Sequence, residues 1–180
     1  MATLGLALAK LILFCRAKAI LAYSGIIKSM IEVRIAKIAD IDELHMLGRS
    51  VSEFSVNDET VTFWPKDILL NVVGSEDVLI YVAHEAELMV GFILATYSHS
   101  LGKATIENIY VIPKLRGQNV GNKLLGMLEE HLAQRGCQYI ATLVPANAAG
   151  ALGMYSQSGF SKGNSFVWID KTLSVQYKKP

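Results

Sequence analysis

Cysteine is almost missing from this sequence: Cys15 and Cys137 are the only two in 180 residues. Neither sits in a CxxC or metal-ligand spacing, so no disulfide framework is expected, and a reducing, cytoplasmic setting is the default. Histidine clusters are missing as well. His45, His84, His99 and His131 are scattered without an HExxH pattern, and no metal is expected. An excess of one charge is also absent. A formal net charge of +1 makes no electrostatic footprint for nucleic acid, and none is expected as a partner. There is no GK[ST], which excludes a P-loop, and no GxGxxG, which excludes the dinucleotide-binding fingerprint.

What is present is a mostly apolar chain, 52% hydrophobic, of a size that suits one globular domain with a proper core. The charge is unevenly placed. Residues 1–29 hold Lys10, Arg16, Lys18 and Lys28 and no acid, whereas the remainder is acidic in sum. The charges at positions 10, 16 and 18 keep any uncharged run below the roughly 18–20 residues of a membrane span. The segment also lacks the basic start and small-residue cleavage site of a signal peptide. Three readings stay open: an interfacial amphipathic helix, a helix packed on the domain or a partner, and a stretch that is not natively translated. Met30, just before the strand-like IEVRIA, would make a natural start. The expected organisation is therefore an apolar, basic extension over 1–29 and one domain over 30–180.

Local pattern predicts the element order β-α-α-β-β-β-α-β-α-β. IEVRIA alternates as a strand does. Asp40 and Glu43 resemble a capping box, and Ile41, Leu44, Leu47, Val51 and Phe54 follow at helical spacing. Pro65 suits the first turn of a second helix, ended by Gly74. Residues 77–98 read as two strands joined around Glu85–Glu87, and 104–112 as a third. Val120, Leu124, Leu128 and Leu132 mark the buried stripe of a long helix, and 137–144 read as a strand. A short helix is expected over 147–159, with one or two closing strands in FSKGNSFVWIDKTL. The fold class is α+β, or mixed α/β: a central sheet covered by helices on both faces, in which antiparallel hairpins precede a βαβ unit.

The long helix starts oddly. Helix N-termini usually carry Asp, Glu, Ser or Thr to satisfy bare amides and complement the dipole. RGQNVGNKLL, Arg116–Leu125, has Gly117, Asn119, Gly121 and two cations there, with no acid before Glu129. Bare amides at the positive end of a helix attract anions, and phosphate is the natural occupant. Glycines admit close approach to the backbone, and Asn119 tolerates left-handed dihedrals better than most residues. Arg116 and Lys123 add charge. The stretch reads as a pyrophosphate cradle after a buried strand, against the plainer reading of a loop that merely turns.

VIPKLRGQNVGNKLL resembles the central motif of the GNAT superfamily of acyl-CoA-dependent N-acetyltransferases: Arg or Gln, two residues, Gly, one residue, then Gly or Ala. Arg116 and Gly121 match, and Asn119 replaces the middle glycine. Downstream, NAAGALGMYSQSGF resembles the next family motif through Asn147, Tyr155 and Gly159–Phe160, with one extra residue between Asn147 and Tyr155. IEVRIAKIADIDELHML is similar to a family N-terminus, so the resemblance covers about residues 30–170. It implies a mostly antiparallel sheet with a splayed parallel strand pair, here 104–112 and 137–144. It implies acetyl-CoA as co-substrate, held by backbone at Tyr110 and Val111, by Arg116, Gly117, Gln118, Asn119, Val120, Gly121 and Asn122 around the pyrophosphate, and by Asn147.

The implied reaction is attack of a neutral amine on the thioester. Tyr155 is the expected acid for the departing thiolate, or else a tyrosine packing under the cofactor. Glu107 is the expected base, directly or through water, because a carboxylate inside an apolar strand is desolvated; the alternative is a structural glutamate. A glutamate that some protein N-terminal acetyltransferases carry five residues before the motif asparagine is Thr142 here, which weakens that subgroup. The acceptor is expected to be a primary amine of a small molecule, with a protein or peptide amine, or a non-catalytic CoA-binding module, as alternatives. Glu53, Asp58 and Glu59 would suit a cationic acceptor, and Phe54, Phe63 and Trp64 an apolar wall. A homodimer and a membrane contact through residues 1–29 both stay open.

Overall fold

The computed structural model describes residues 30–54, 63–165, 167 and 169. The extension 1–29, the acidic positions Asp58 and Glu59, and most of the expected closing strands lie outside the described residues. The chain divides into two compact units, Met1–Leu143 and Val144–Pro180.

The first unit carries five strands in sequence order across one sheet: β1 Ile31–Ile35, β2 Val78–Glu85, β3 Leu88–Ser98, β4 Lys103–Val111 and β5 Tyr139–Thr142. The first four pair antiparallel, and β5 runs parallel to β4. The β2–β3 hairpin turns at Ala86, which adopts φ 56°. In β2 every residue from Val78 to His84 is buried, as is Met89–Ala95 in β3, because helices cover both faces.

Period-two alternation sorts the two faces. Val78, Ile80, Val82, Phe92 and Leu94 join Ile41 and Leu44 of α1 (Ile41–Arg49) and Leu69 of α2 (Lys66–Val72) in one apolar cluster. On the other face lies α3 (Val120–Gln134), whose stripe Val120, Leu124, Leu125, Leu128 and Leu132 is buried. Tyr81 and Tyr97 point the same way: the Tyr81 hydroxyl bonds His131 Nδ1 at 2.7 Å, and the Tyr97 hydroxyl donates to Arg135 O at 2.9 Å. Gly91 sits where β3 passes the end of β4. A Cβ there would lie 2.7 Å from Tyr110 O and 3.4 Å from Leu124 Cδ1, so the residue must be glycine for the strands to approach this closely.

The expected capping box is not formed. Asp40 ends a 3-10 turn before α1 and faces inward, where its carboxylate takes two bonds from Arg34, at 2.7 and 2.8 Å, and one from the Lys37 amide at 2.7 Å. The Arg34 guanidinium holds the Asp40 carboxyl below the usual carboxylate range. Glu43 reaches across to the sheet instead, accepting from the Met89 amide at 2.8 Å. Both acids tie α1 to the strands, a tertiary demand that local spacing does not reveal.

In the second unit α4 spans Ala149–Gln157. Gly159 turns the chain with φ 87°, and Phe160 comes back onto Tyr155, with ring centroids 5.0 Å apart. Residues 160–165 form no strand.

Candidate active site

The parallel pair is short. β5 partners β4 only from Lys103↔Tyr139 to Ile106↔Thr142, while β4 runs on to Val111. Thr142 closes the shared stretch by donating its hydroxyl to Ile106 O at 3.1 Å. β5 ends there, so from Glu107 onward β4 runs without its parallel neighbour.

The β3–β4 register explains why the parting falls there. Thr96↔Thr105 and Ala95↔Ile106 are followed by Leu94↔Asn108, so Glu107 is the extra residue of a β-bulge. A bulge breaks the ladder, bends its strand and re-aims side chains. Here it changes the parity of β4. Ile106 opposes Ala95 before the bulge, and Tyr110 opposes Phe92 after it, with the two rings 6.2 Å apart. Glu107 and Asn108 therefore both belong to the α1–α2 face of the sheet. Glu107 accepts a hydrogen bond from Thr96 Oγ1 at 2.7 Å.

The desolvation expected for Glu107 is absent. The residue is exposed, because the bulge and the missing strand neighbour open its surroundings. Thr96 and the bulge were not found from sequence. The one available signal was the adjacent polar pair Glu107–Asn108, which breaks the alternation of an apolar strand.

Beyond β4 the chain makes a 3-10 turn, Pro113–Leu115, and enters α3 at Asn119. Gly117 has φ 75° with nothing within 4 Å of a Cβ built there, and Asn119 has φ 66°. Asn119 makes no side-chain cap bond and the first turn of α3 holds no acid, so the amides of Val120, Gly121 and Asn122 lack a cap from the helix's own start. The Asn119 side chain is instead engaged with Asn122, whose Nδ2 donates to Asn119 Oδ1 at 2.8 Å. A left-handed entry, space beside Gly117 and an unneutralised helix start all fit a diphosphate.

Arg116 also reaches back to the strand. Its Nε donates to Val111 O at 3.0 Å, and its guanidinium lies 5.5 Å from the centroid of the Tyr110 ring. The side chain thus clamps the loop to the end of β4, and one lone pair of the Val111 carbonyl is taken. Gln118, exposed, bonds within the same loop, with Nε2 donating to Lys114 O at 3.1 Å. Tyr110 belongs to an aromatic group with Phe54, Phe63 and Phe92 beneath α1 and α2. Trp64 packs against the same cluster.

The first unit thus brings Glu107, Tyr110, Val111 and the Arg116–Asn122 loop to one end of β4. The second unit carries the other two expected residues. Asn147 is exposed in the turn before α4, and Tyr155 is buried within α4 against Phe160.

A groove of about 370 Å³ lies at the opposite end of α3, lined in part by Glu76, His131, Gln134 and Arg135. Its charged groups are committed: Arg135 donates to Glu76 O at 2.6 Å, and His131 is bonded to Tyr81, whose hydroxyl is pushed up by burial and then by Glu130. No helix among the described residues is long and apolar enough to cross a membrane.

A mixed five-stranded sheet with a parallel pair at its edge and helices on both faces is the fold of an acetyltransferase domain. The acetyltransferase (GNAT) family pattern matches residues 42–160, and the chain belongs to that family. An acetyltransferase of Agrobacterium fabrum, Atu2258, is 35% identical over 77 residues, covering 37% of this chain and 53% of that protein. The chain thus spans about half the length of that relative. An acetyltransferase of Photorhabdus laumondii, plu1384, is 30% identical over 99 residues, 49% of this chain and 68% of that protein.

Solved structures share the fold. The PaiA N-acetyltransferase of Thermoplasma acidophilum in complex with coenzyme A superposes with a TM-score of 0.67 at 21% identity, covering 76% of this chain and 93% of that one. An aminoglycoside acetyltransferase from an uncultured soil metagenomic sample gives 0.64 at 16% identity, covering 82% and 99%. The ribosomal-protein-S18-alanine N-acetyltransferase of Escherichia coli gives 0.61 at 22% identity, covering 75% and 80%.

Proposed function

We propose that this chain transfers an acetyl group from acetyl-CoA to a primary amine of a small molecule by direct attack of the amine on the thioester. The observation that carries the reading is the continuity of parted strand, left-handed turn and uncapped helix within the residues that match the family.

The co-substrate supplies an activated acetyl group. The chain supplies binding and proton handling. The backbone of Tyr110 and Val111 would take the pantetheine arm, and the amides from Gly117 to Asn122 the diphosphate. Arg116 acts indirectly, by holding the loop against β4. Because these contacts are main-chain, they tolerate side-chain change, Asn119 included. Asn147 would steady the pantetheine arm. Glu107 takes a proton from the incoming ammonium, directly or through a water, and its exposure suits exchange with solvent. The amine nitrogen then bonds to the acetyl carbon as the carbon–sulfur bond breaks and gives up its second proton to solvent, and Tyr155, itself reprotonated from solvent, gives a proton to the sulfur. That last assignment rests on residue type and motif position. A cytoplasmic setting is part of the proposal, given two cysteines without a disulfide framework.

The test is free-thiol release from acetyl-CoA with a panel of amines. Spermidine, sisomicin and a peptide with an N-terminal alanine cover the polyamine class and the acceptors for which the fold neighbours are named. Release with spermidine or sisomicin above the peptide supports the reading. Tight coenzyme A binding without release from any amine refutes it in favour of a non-catalytic binding module. Gly121→Val should lose coenzyme A binding in a folded protein, and retained affinity would remove the cradle.

A further inference from the structure

We propose that Thr96 is a positioning residue for the reaction: its hydroxyl holds one oxygen of the Glu107 carboxylate and leaves the other to meet the acceptor amine. The inference rests on the reading of Glu107 as the base and extends it to a second strand.

A base at a bulge has a specific difficulty. The extra residue has no cross-strand partner, and a glutamate there can swing through three rotatable bonds. Glu107 has neither a ladder partner in β3 nor a β5 neighbour to restrain it. Thr96 supplies the restraint. It pairs with Thr105, two residues before the bulge, and its Oγ1 donates to Glu107 Oε1 at 2.7 Å. Threonine is branched at Cβ and stiff at χ1, so a strand backbone aims this hydroxyl more firmly than a serine hydroxyl.

Direction matters as much as distance. Thr96 follows Phe92 and Leu94 at period two and shares their face of the sheet. The bond therefore keeps the carboxylate on the α1–α2 side, where Tyr110 also lies, and away from the side packed by α3. One hydroxyl satisfies one carboxylate oxygen, and Oε2 keeps its lone pairs for a proton. The bond thus fixes the direction from which Glu107 meets the amine, which a mobile carboxylate at a bulge would lack.

The experiment uses the full chain. Thr96→Val keeps the branched shape and removes the donor; Thr96→Ser keeps the donor. Thiol release from acetyl-CoA, with whichever of spermidine, sisomicin or the alanine peptide turns over fastest, falls roughly tenfold in kcat for Thr96→Val. KM for acetyl-CoA does not change, and Thr96→Ser recovers most of the loss. Wild-type kcat in Thr96→Val, or a Thr96→Ser protein as slow as Thr96→Val, overturns the proposal. The underlying reading fails separately: wild-type kcat in Glu107→Gln denies Glu107 the base role, and Thr96 then has nothing catalytic to position.

Discussion

Gly91→Ala tests whether the end of β4 is set by contact with β3. The added Cβ would sit 2.7 Å from Tyr110 O, a backbone atom that cannot swing aside, with Val111 Cγ2 at 3.3 Å and Leu124 Cδ1 at 3.4 Å. Carbon–oxygen contacts relax to roughly 3.3–3.6 Å, so β3 and β4 must separate by about half an ångström or more at this point. Overpacking of this kind costs about 1–3 kcal/mol. The lower freedom of alanine in the unfolded chain offsets about 0.4–1 kcal/mol of that. A net loss of about 1–2 kcal/mol remains, or a fall in Tm of roughly 2–8 °C for a chain of this size. The same displacement moves the Tyr110–Val111 backbone assigned to the pantetheine arm, so affinity for coenzyme A falls as well. Urea unfolding gives the first quantity and calorimetric titration with coenzyme A the second. Stability within about 0.5 kcal/mol of wild type would show that the strand pair yields without strain, and the steric argument would be wrong.

Asn119 enters α3 with φ 66°, so Asn119→Gly should keep coenzyme A binding, whereas Asn119→Val should lose about 1–2 kcal/mol of stability and most of the affinity; equal behaviour of the two variants in the same titration would contradict a left-handed requirement. Asp40→Asn removes the charge and one of the two acceptor oxygens that hold Arg34 and the Lys37 amide, and about 1.5–3 kcal/mol should be lost at pH 7 by urea unfolding. Since the Asp40 carboxyl is held below its usual range, this contribution is full above the unfolded carboxylate value of about 3.9 and fades as pH falls through the folded value. The difference between wild type and Asp40→Asn should therefore shrink in acid, and a constant difference would oppose the assignment. Tyr155→Phe should lower kcat by about 100-fold with little change in KM for acetyl-CoA, and unchanged turnover at every pH would remove Tyr155 as the proton donor.

Much of the scaffold could be read from residue spacing. Val120, Leu124, Leu128 and Leu132 repeat along one helical face, and all four are buried. Asn119 was expected to tolerate a left-handed turn and adopts one. The bare start of α3 was visible as an absence of acids in a run of letters. Asp40 and Glu43 looked like a cap for α1, but Asp40 holds Arg34 and the Lys37 amide upstream, and Glu43 holds the Met89 amide, 46 residues away. Glu107 looked buried because its neighbours in sequence are apolar, and it is exposed.

The difference is one of range. Helical stripes, turn residues and an uncapped helix start depend on backbone geometry over a few residues, so the order of letters determines them directly. The bulge at Glu107, the parting of β5 after Ile106 and the bond from Thr96 depend on how strands distant in sequence align, and that alignment is settled only when side chains pack on both faces of the sheet. Sequence alone determined that a helix start without an acid in its first turn follows a strand. Tertiary structure decided which face of the sheet the Glu107 carboxylate takes and what holds it, because a one-residue shift in register moves a side chain to the opposite face.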